Sequence, residues 1–141
     1  HMSTPHPEGA GAVLAMQRAL ARAALAPQAI DYINMHGTAS LVNDSMEDKA
    51  ISTVFGTDTA CSSTKGWTGH ALGAAGITEA VISALCIQHG LMPGCLNTRT
   101  IDPSFTSKVL LTKQNGDVRR VLSNSFGFGG SNCSLIFGVH A

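Results

Sequence analysis

Apolar and polar positions fall into blocks along the chain, and the period of each block predicts its element. Residues 10–25 place Val13, Leu14, Met16, Leu20 and Leu25 among Gln17, Arg18 and Arg22, the spacing of an amphipathic helix, which Pro27 ends. The short apolar run 30–34 predicts a strand that leads straight into His36, Gly37 and Thr38. Asn43, Asp44 and Ser45 offer helix caps, and Glu47 and Asp48 meet the dipole of a first turn. That helix is expected to reach Phe55, where Gly56 stops it. Residues 60–63 predict a second strand. Residues 73–89 predict a helix with Ile77, Val81, Ile82, Leu85, Cys86 and Ile87 nearly all round it, which calls for burial on every side. Gly90 and Pro93 end it. Strands are expected over 109–112 and 118–123, joined by a hairpin turn at Asn115 and Gly116, and a last buried strand over 133–139. Residues 1–9 read as loop. The β-α-β-α order implies one α/β domain over residues 1–141, with helices on a mixed or parallel sheet.

Composition narrows the function. Lysine and arginine number 9, aspartate and glutamate 9, which argues against a nucleic-acid binder with its basic face. No apolar run is expected to reach the roughly 18 residues of a membrane span, and no signal peptide opens the chain. The expectation is a cytoplasmic protein with no nucleic-acid or membrane partner. Charged residues make up only 13% against 44% apolar, which suits a domain that packs extensively against something else. Cys61, Cys86, Cys95 and Cys133 form no C-x-x-C pair and no zinc-finger spacing with a histidine, and read as free, mostly buried thiols.

Three stretches carry candidate chemistry. Residues 62–76 read SSTKGWTGHALGAAG, with Lys65 and His70 at the mouth of the apolar helix. A histidine near a helix N-terminus is biased toward the neutral form, and a neutral imidazole can donate to a developing oxyanion. The bland reading, a solvated lysine and a capping histidine, weighs about equally on this pair alone. His36 follows a strand at the sheet edge where open α/β sheets bind ligands, with Gly37, Thr38 and Ser40 beside it. A lone histidine there is more often structural. Glu79, the one acid of its helix, needs a partner or a cation. Residues 124–132 read NSFGFGGSN; they lack the third glycine of a dinucleotide loop and precede a strand. Such a loop gates a pocket or donates to an oxyanion, or simply connects strands. Neither H-E-x-x-H nor G-x-S-x-G occurs.

MHGTAS with Asn43, Asp44 and Glu47, then SSTKGWTGHALGAAGITEA, then SNSFGFGGSN, together resemble the carboxyl-terminal half of the β-ketoacyl-acyl-carrier-protein synthases, condensing enzymes of the thiolase-like superfamily. The run HMSTPHPEGAGAVLAM is also similar to that family's, and the likeness spans the chain. It implies half of an α-β-α-β-α sandwich, a mixed sheet with helices packed on it. It implies a decarboxylative Claisen condensation of an acyl thioester with malonyl-carrier protein, in synthesis of the fatty-acid, polyketide or aryl-polyene type. His36 and His70 correspond to the family's pair of histidines and Lys65 to the supporting lysine. Thr38, Ser40 and Phe126 fall where the pantetheine arm is held. Phe128 and Gly129 fall at the gatekeeper and oxyanion loop. Asn34, Glu79, Ser123 and Asn124 match a site for a monovalent cation. No cofactor is implied beyond the phosphopantetheine on which acyl carrier protein bears the substrates. Ser40 stands for the usual threonine, and Ala39 departs from HGTGT.

The family nucleophile is a cysteine of the amino-terminal half, and Cys61 does not match it. The chain is therefore expected to be a fragment, inactive alone, that partners the missing half in a homodimer or heterodimer and exposes an apolar face without it. The alternatives are a catalytically silent partner resembling a chain-length factor, or a thiolase, whose second cysteine Cys133 matches poorly.

Overall fold

A computed structural model describes residues 6–139, without the side chain of Phe128. Most of the expected opening loop, with the residues before His6 in the HMSTP run, lies outside the described residues. Helix α1 spans Ala10–Ala23 and closes on Ala24 in the left-handed conformation, ahead of Pro27. Strand β1 (Tyr32–Asn34) leads to helix α2 (Leu41–Phe55), and strand β2 (Ala60–Ser62) to the four-residue helix α3 (Lys65–Thr68). A 3-10 turn over Leu72–Ala74 precedes helix α4 (Ala75–His89). Strands β3 (Leu91–Met92), β4 (Lys108–Val109), β5 (Gln114–Asn115), β6 (Arg120–Phe126) and β7 (Asn132–Gly138) complete the chain.

The main sheet runs β4-β2-β1-β6-β7. Its first four strands pair in parallel, and β7 is antiparallel to β6. This is the expected α/β architecture with a mixed sheet. Alternation along each strand sends neighbouring side chains to opposite faces. Ile33, Cys61 and Leu122 pack under Met16 and Leu20 of α1 and Ile51 of α2. Tyr32 and Val121 face Cys86 of α4 on the other side. All four cysteines are free: Cys61 and Cys86 buried, Cys95 half-buried, Cys133 exposed.

Four expectations are corrected. No hairpin joins the strand near 109 to the one near 121. β4 pairs with β2 at the far edge of the sheet, and Leu110 N–H continues that pairing by donating to Cys61 O at 2.9 Å. Asn115 pairs instead with Leu91, and Gly116 N–H bonds Gly90 O. The expected turn is not one: Asn115 is a residue of β5, held in a short antiparallel pairing with β3. Helix α2 starts earlier than expected, capped by Ser40, whose Oγ accepts from Asn43 N–H at 3.2 Å. Helix α4 is not covered on every side: Ile77, Val81 and Leu85 are 66%, 53% and 45% exposed, one stripe at helical spacing. The segment Leu72–His89 also has the length and mean hydropathy, 1.2, of a membrane-crossing helix, which the sequence reading did not expect. Here α4 lies on the sheet with Glu79 buried beneath it and paired to Lys65.

Candidate active site

The carboxyl ends of β1, β2 and β6 open at one edge of the sheet, and each carries a candidate stretch there. His36 follows β1, Lys65 and His70 follow β2, and Phe126 ends β6. The fold brings all four together. The rings of His36 and His70 lie 5.3 Å apart at 89°, and Phe126 stands 5.7 Å from His36 at 63°. Both histidines, Thr38, Ser40, Leu72 and Phe126 line one cavity of about 940 Å³. A second cavity of about 590 Å³ lies across Thr38, Lys65 and His70, walled by Cys95, Ile101 and Phe105.

The backbone of His36 is held between charges. Its N–H donates to Glu47 Oε2 at 2.8 Å, and Gly37 N–H donates to Glu47 Oε1 at 2.8 Å. Its carbonyl accepts from Lys65 Nζ at 2.5 Å. Lys65 Nζ also lies 3.5 Å from His36 Nδ1 and forms an ion pair with Glu79 Oε1. An ammonium has only donors, so Nδ1 of His36 accepts and the ring proton sits on Nε2. His70 reaches the same state by another route: its Nδ1 accepts from Leu72 N–H at 3.1 Å. Gly37 turns with φ 42°, and a Cβ there would stand 2.4 Å from Ser63 Cβ, so only glycine lets the two loops meet.

Burial lowers the His36 pKa to about 4, with the Lys65 ammonium and the neighbouring His70 ring acting in the same direction, so its imidazole is neutral at physiological pH. Burial raises Glu47 to about 7, against the pull of the Gly37 and His36 N–H groups. Burial also raises Glu79, with Lys65 opposing it.

Glu47 and Asp48 were read as acids meeting a helix dipole, and both are buried. Glu47 clamps the histidine loop. Asp48 accepts from Thr106 N–H and Ser107 N–H, fastening the segment that walls the second cavity. Their spacing on α2 was visible, but the burial that gives them these roles was not.

Thr38 donates its hydroxyl to Ser40 Oγ at 3.3 Å, on the cavity wall. Gly129 sits in the exposed 3-10 turn Phe128–Gly130 with φ 83°, and the Phe128 side chain lies outside the described residues. Asn34 pairs with Ser123 across β1 and β6, and its Nδ2 donates to Thr64 Oγ1 at 3.3 Å. Asn34 Oδ1 and Glu79 Oε2 are buried oxygens with no hydrogen-bond partner among the described residues. Asn124 is not turned toward them. Its amide donates to Glu47 Oε2 at 3.3 Å, because neighbours on β6 point to opposite faces.

Comparison with known proteins fits this geometry. Residues 1–99 match the family described as beta-ketoacyl synthase, C-terminal domain. The chain is 49% identical over 97% of its length to the mitochondrial 3-oxoacyl-[acyl-carrier-protein] synthase of Arabidopsis thaliana, of which it covers 31%. It is 41% identical over 96% of its length to 3-oxoacyl-[acyl-carrier-protein] synthase 2 of Coxiella burnetii, covering 34% of that protein. Among solved structures, a ketosynthase in complex with its chain length factor from Xenorhabdus doucetiae superposes with TM-score 0.94 at 48% identity, over 99% of this chain and 36% of that one. A beta-ketoacyl synthase from Burkholderia phymatum gives TM-score 0.93 at 35% identity, over 100% of this chain and 35% of that one. The chain therefore belongs to the β-ketoacyl synthase family, whose carboxyl-terminal half it represents. It spans about a third of the length of these relatives.

Proposed function

We propose that this chain supplies the two-histidine half of a β-ketoacyl-acyl-carrier-protein synthase, an acyltransferase that extends an acyl thioester by decarboxylative Claisen condensation. The observation that carries the reading is the convergence of two imidazoles, each with its Nδ1 occupied, on one cavity. Two Nε2–H donors facing a cavity suit the thioester oxygen of a malonyl group. As the malonyl C–C bond breaks, carbon dioxide leaves and its electron pair passes into the enolate, whose oxygen takes up charge. Donors placed in advance stabilise that charge without reorganising. A His36 imidazole that stays neutral at physiological pH donates without adding a cation. The enolate carbon then attacks an acyl group held as a thioester on a cysteine, forming the new C–C bond and releasing the thiolate.

That cysteine is expected in the part of the synthase that relatives carry outside the matched third. Thr38 and Ser40, with their linked hydroxyls on the cavity wall, suit the amide groups of a pantetheine arm, and Phe126 supplies an apolar wall. The loop of Phe128 and Gly129 would gate the entrance. The substrates would arrive on acyl carrier protein, and no cofactor beyond its phosphopantetheine is needed. Asn34 Oδ1 and Glu79 Oε2 fit an oxygen-ligated monovalent cation, with Ser123 beside Asn34. Such an ion would satisfy the Glu79 oxygen that Lys65 leaves without a partner, and Asn124 would not offer its amide to it. The exposed stripe of Ile77, Val81 and Leu85 would pack on the remaining half of the synthase, within a homodimer or heterodimer.

A silent partner of the chain-length-factor kind is the runner-up, because similar solved structures hold a ketosynthase together with a chain length factor. The intact set of His36, Lys65 and His70 favours the catalytic reading. Cys133 on β7 pairs with Ser125 on β6 and lines neither cavity, which leaves a thiolase without its second cysteine. The test is elongation of acyl-carrier protein by the chain alone and by the chain assembled with a cysteine-bearing amino-terminal half. No product alone and turnover on assembly is expected. Elongation by the chain alone, or none by a folded assembly, contradicts the proposal.

A further inference from the structure

One run of buried hydrogen bonds on the α4 face of the sheet has a fixed direction. It starts at the carbonyl oxygen of Pro93, which can only accept. Ser62 Oγ lies 2.5 Å from that oxygen and spends its single proton there. Tyr32 Oη lies 2.5 Å from the same Ser62 Oγ, which has no proton left, so the phenol donates. The phenol oxygen is then an acceptor only, and Asn34 Nδ2 donates to it at 3.5 Å. The same Nδ2 also donates to Thr64 Oγ1 at 3.3 Å. Tyr32, Asn34 and Ser62 are all wholly buried. Burial also pushes the Tyr32 phenol above its ordinary pKa, which keeps its proton in place.

This direction settles which end of the Asn34 amide faces which way. The two ends of an asparagine amide have nearly the same shape, so packing does not choose between them; donors and acceptors do. Both recorded bonds of Nδ2 go to hydroxyl oxygens, and Oδ1 is left as a buried oxygen with no partner among the described residues. Glu79 Oε2 is in the same condition. Alternation along β1 puts Asn34 on the sheet face of Tyr32, the face that α4 covers, and Ser123 pairs with Asn34 from β6. An amide turned over would present N–H groups there, and a donor repels a cation.

We propose that Tyr32, held as a donor by Ser62, is a positioning residue that leaves Asn34 Oδ1 free to ligate the monovalent cation expected beside Glu79. Tyr32 itself touches neither ion nor substrate. Its phenol acts by having no proton to offer the amide. Without Ser62 Oγ that proton is released for Oδ1, and the turned amide opposes the ion. The remaining acceptor, the Ser62 carbonyl, is 3.4 Å from the phenol and already takes Met35 N–H at 2.8 Å. The proposal rests on the cation reading of this site and needs no turnover.

The experiment follows the thermal midpoint of the 141-residue chain in potassium chloride and in sodium chloride. Ionic strength is held constant with tetramethylammonium chloride, whose cation oxygen ligands do not hold. The wild-type midpoint should rise with one of the small ions and reach half its gain at a defined concentration. Tyr32→Phe and Ser62→Ala should each raise that concentration by roughly three- to tenfold, the weight of one buried hydrogen bond. Cys86→Ala, in the cluster that packs on Tyr32, should lower the midpoint and leave that concentration unchanged. A wild-type midpoint that ignores the identity of the ion means that water fills the place; the cation reading then fails, and the proposal with it. A wild type that responds while a folded Tyr32→Phe keeps the same half-point overturns the positioning role alone. One measurement needs no variant to fold: nuclear Overhauser contacts from the Asn34 side-chain N–H protons to the Tyr32 ring. Their presence is expected in the wild type, and their absence overturns the proposal.

Discussion

Lys65 and Glu79 form an ion pair whose side chains are almost wholly withdrawn from water, and the same ammonium holds the carbonyl of His36. The pair joins α3 to α4 beneath the two histidines. Removing one member leaves the other charge buried and unmatched, which typically costs about 3–5 kcal/mol. Lys65→Met should therefore lower the stability of the chain by about that amount in urea unfolding. Lys65→Met with Glu79→Leu should recover most of it, since replacing a whole buried pair is often nearly neutral. The double variant would still lose the fixed His36 carbonyl. Equal destabilisation by the single and double variants would contradict this account of the pair.

The loop that carries His36 depends on a second buried acid. Glu47 has its pKa raised to about 7 in the folded chain from an ordinary 4.5, so the folded state binds its proton more tightly than the unfolded state. Its contribution to stability is therefore largest at low pH and declines as pH rises from about 4.5 to 7. His36 has the opposite sign. With its pKa lowered to about 4 from 6.5, its contribution is absent below pH 4 and grows up to pH 6.5. The two oppose each other over one window. Glu47→Gln removes the declining part, so stability measured against wild type should improve as pH rises from 4.5 to 7, by up to about 3 kcal/mol. A difference between the two proteins that stays constant with pH would show that Glu47 does not titrate as described.

How much of this was legible in the sequence depends on what signals each feature. Pro27, Gly56 and Gly90 punctuate the chain, so α1, α4 and the end of α2 were read close to their true limits. The site was legible because its residues cluster in three short stretches, each at the end of a strand. The β4–β6 hairpin failed because an Asn-Gly pair favours a turn only where its flanking segments pair with each other, and Asn115 is instead a strand residue held against β3. Glu47 failed for a related reason. Nothing in its spacing on α2 shows that the helix face carrying it turns inward, under β1 and against the His36 loop.

The stripe of Ile77, Val81 and Leu85 makes a separate prediction about the isolated chain. It should bind a hydrophobic dye and self-associate as concentration rises, because an uncovered apolar helix face gains by burial. Val81→Glu with Leu85→Glu should abolish dye binding, leave the fold intact by circular dichroism, and weaken assembly with an amino-terminal half by at least tenfold. Undiminished assembly in that variant would place the interface elsewhere.

The most direct test of the two-histidine site is the rate of carbon dioxide release from malonyl-acyl-carrier protein by the assembled synthase, compared across His36→Ala, His70→Ala and the double variant. Donors that share one oxygen act as a unit. Each single change should cost roughly a hundredfold or more, and the double change little more than either alone. Independent losses that multiply, or a single variant within a few fold of wild type, would contradict the account.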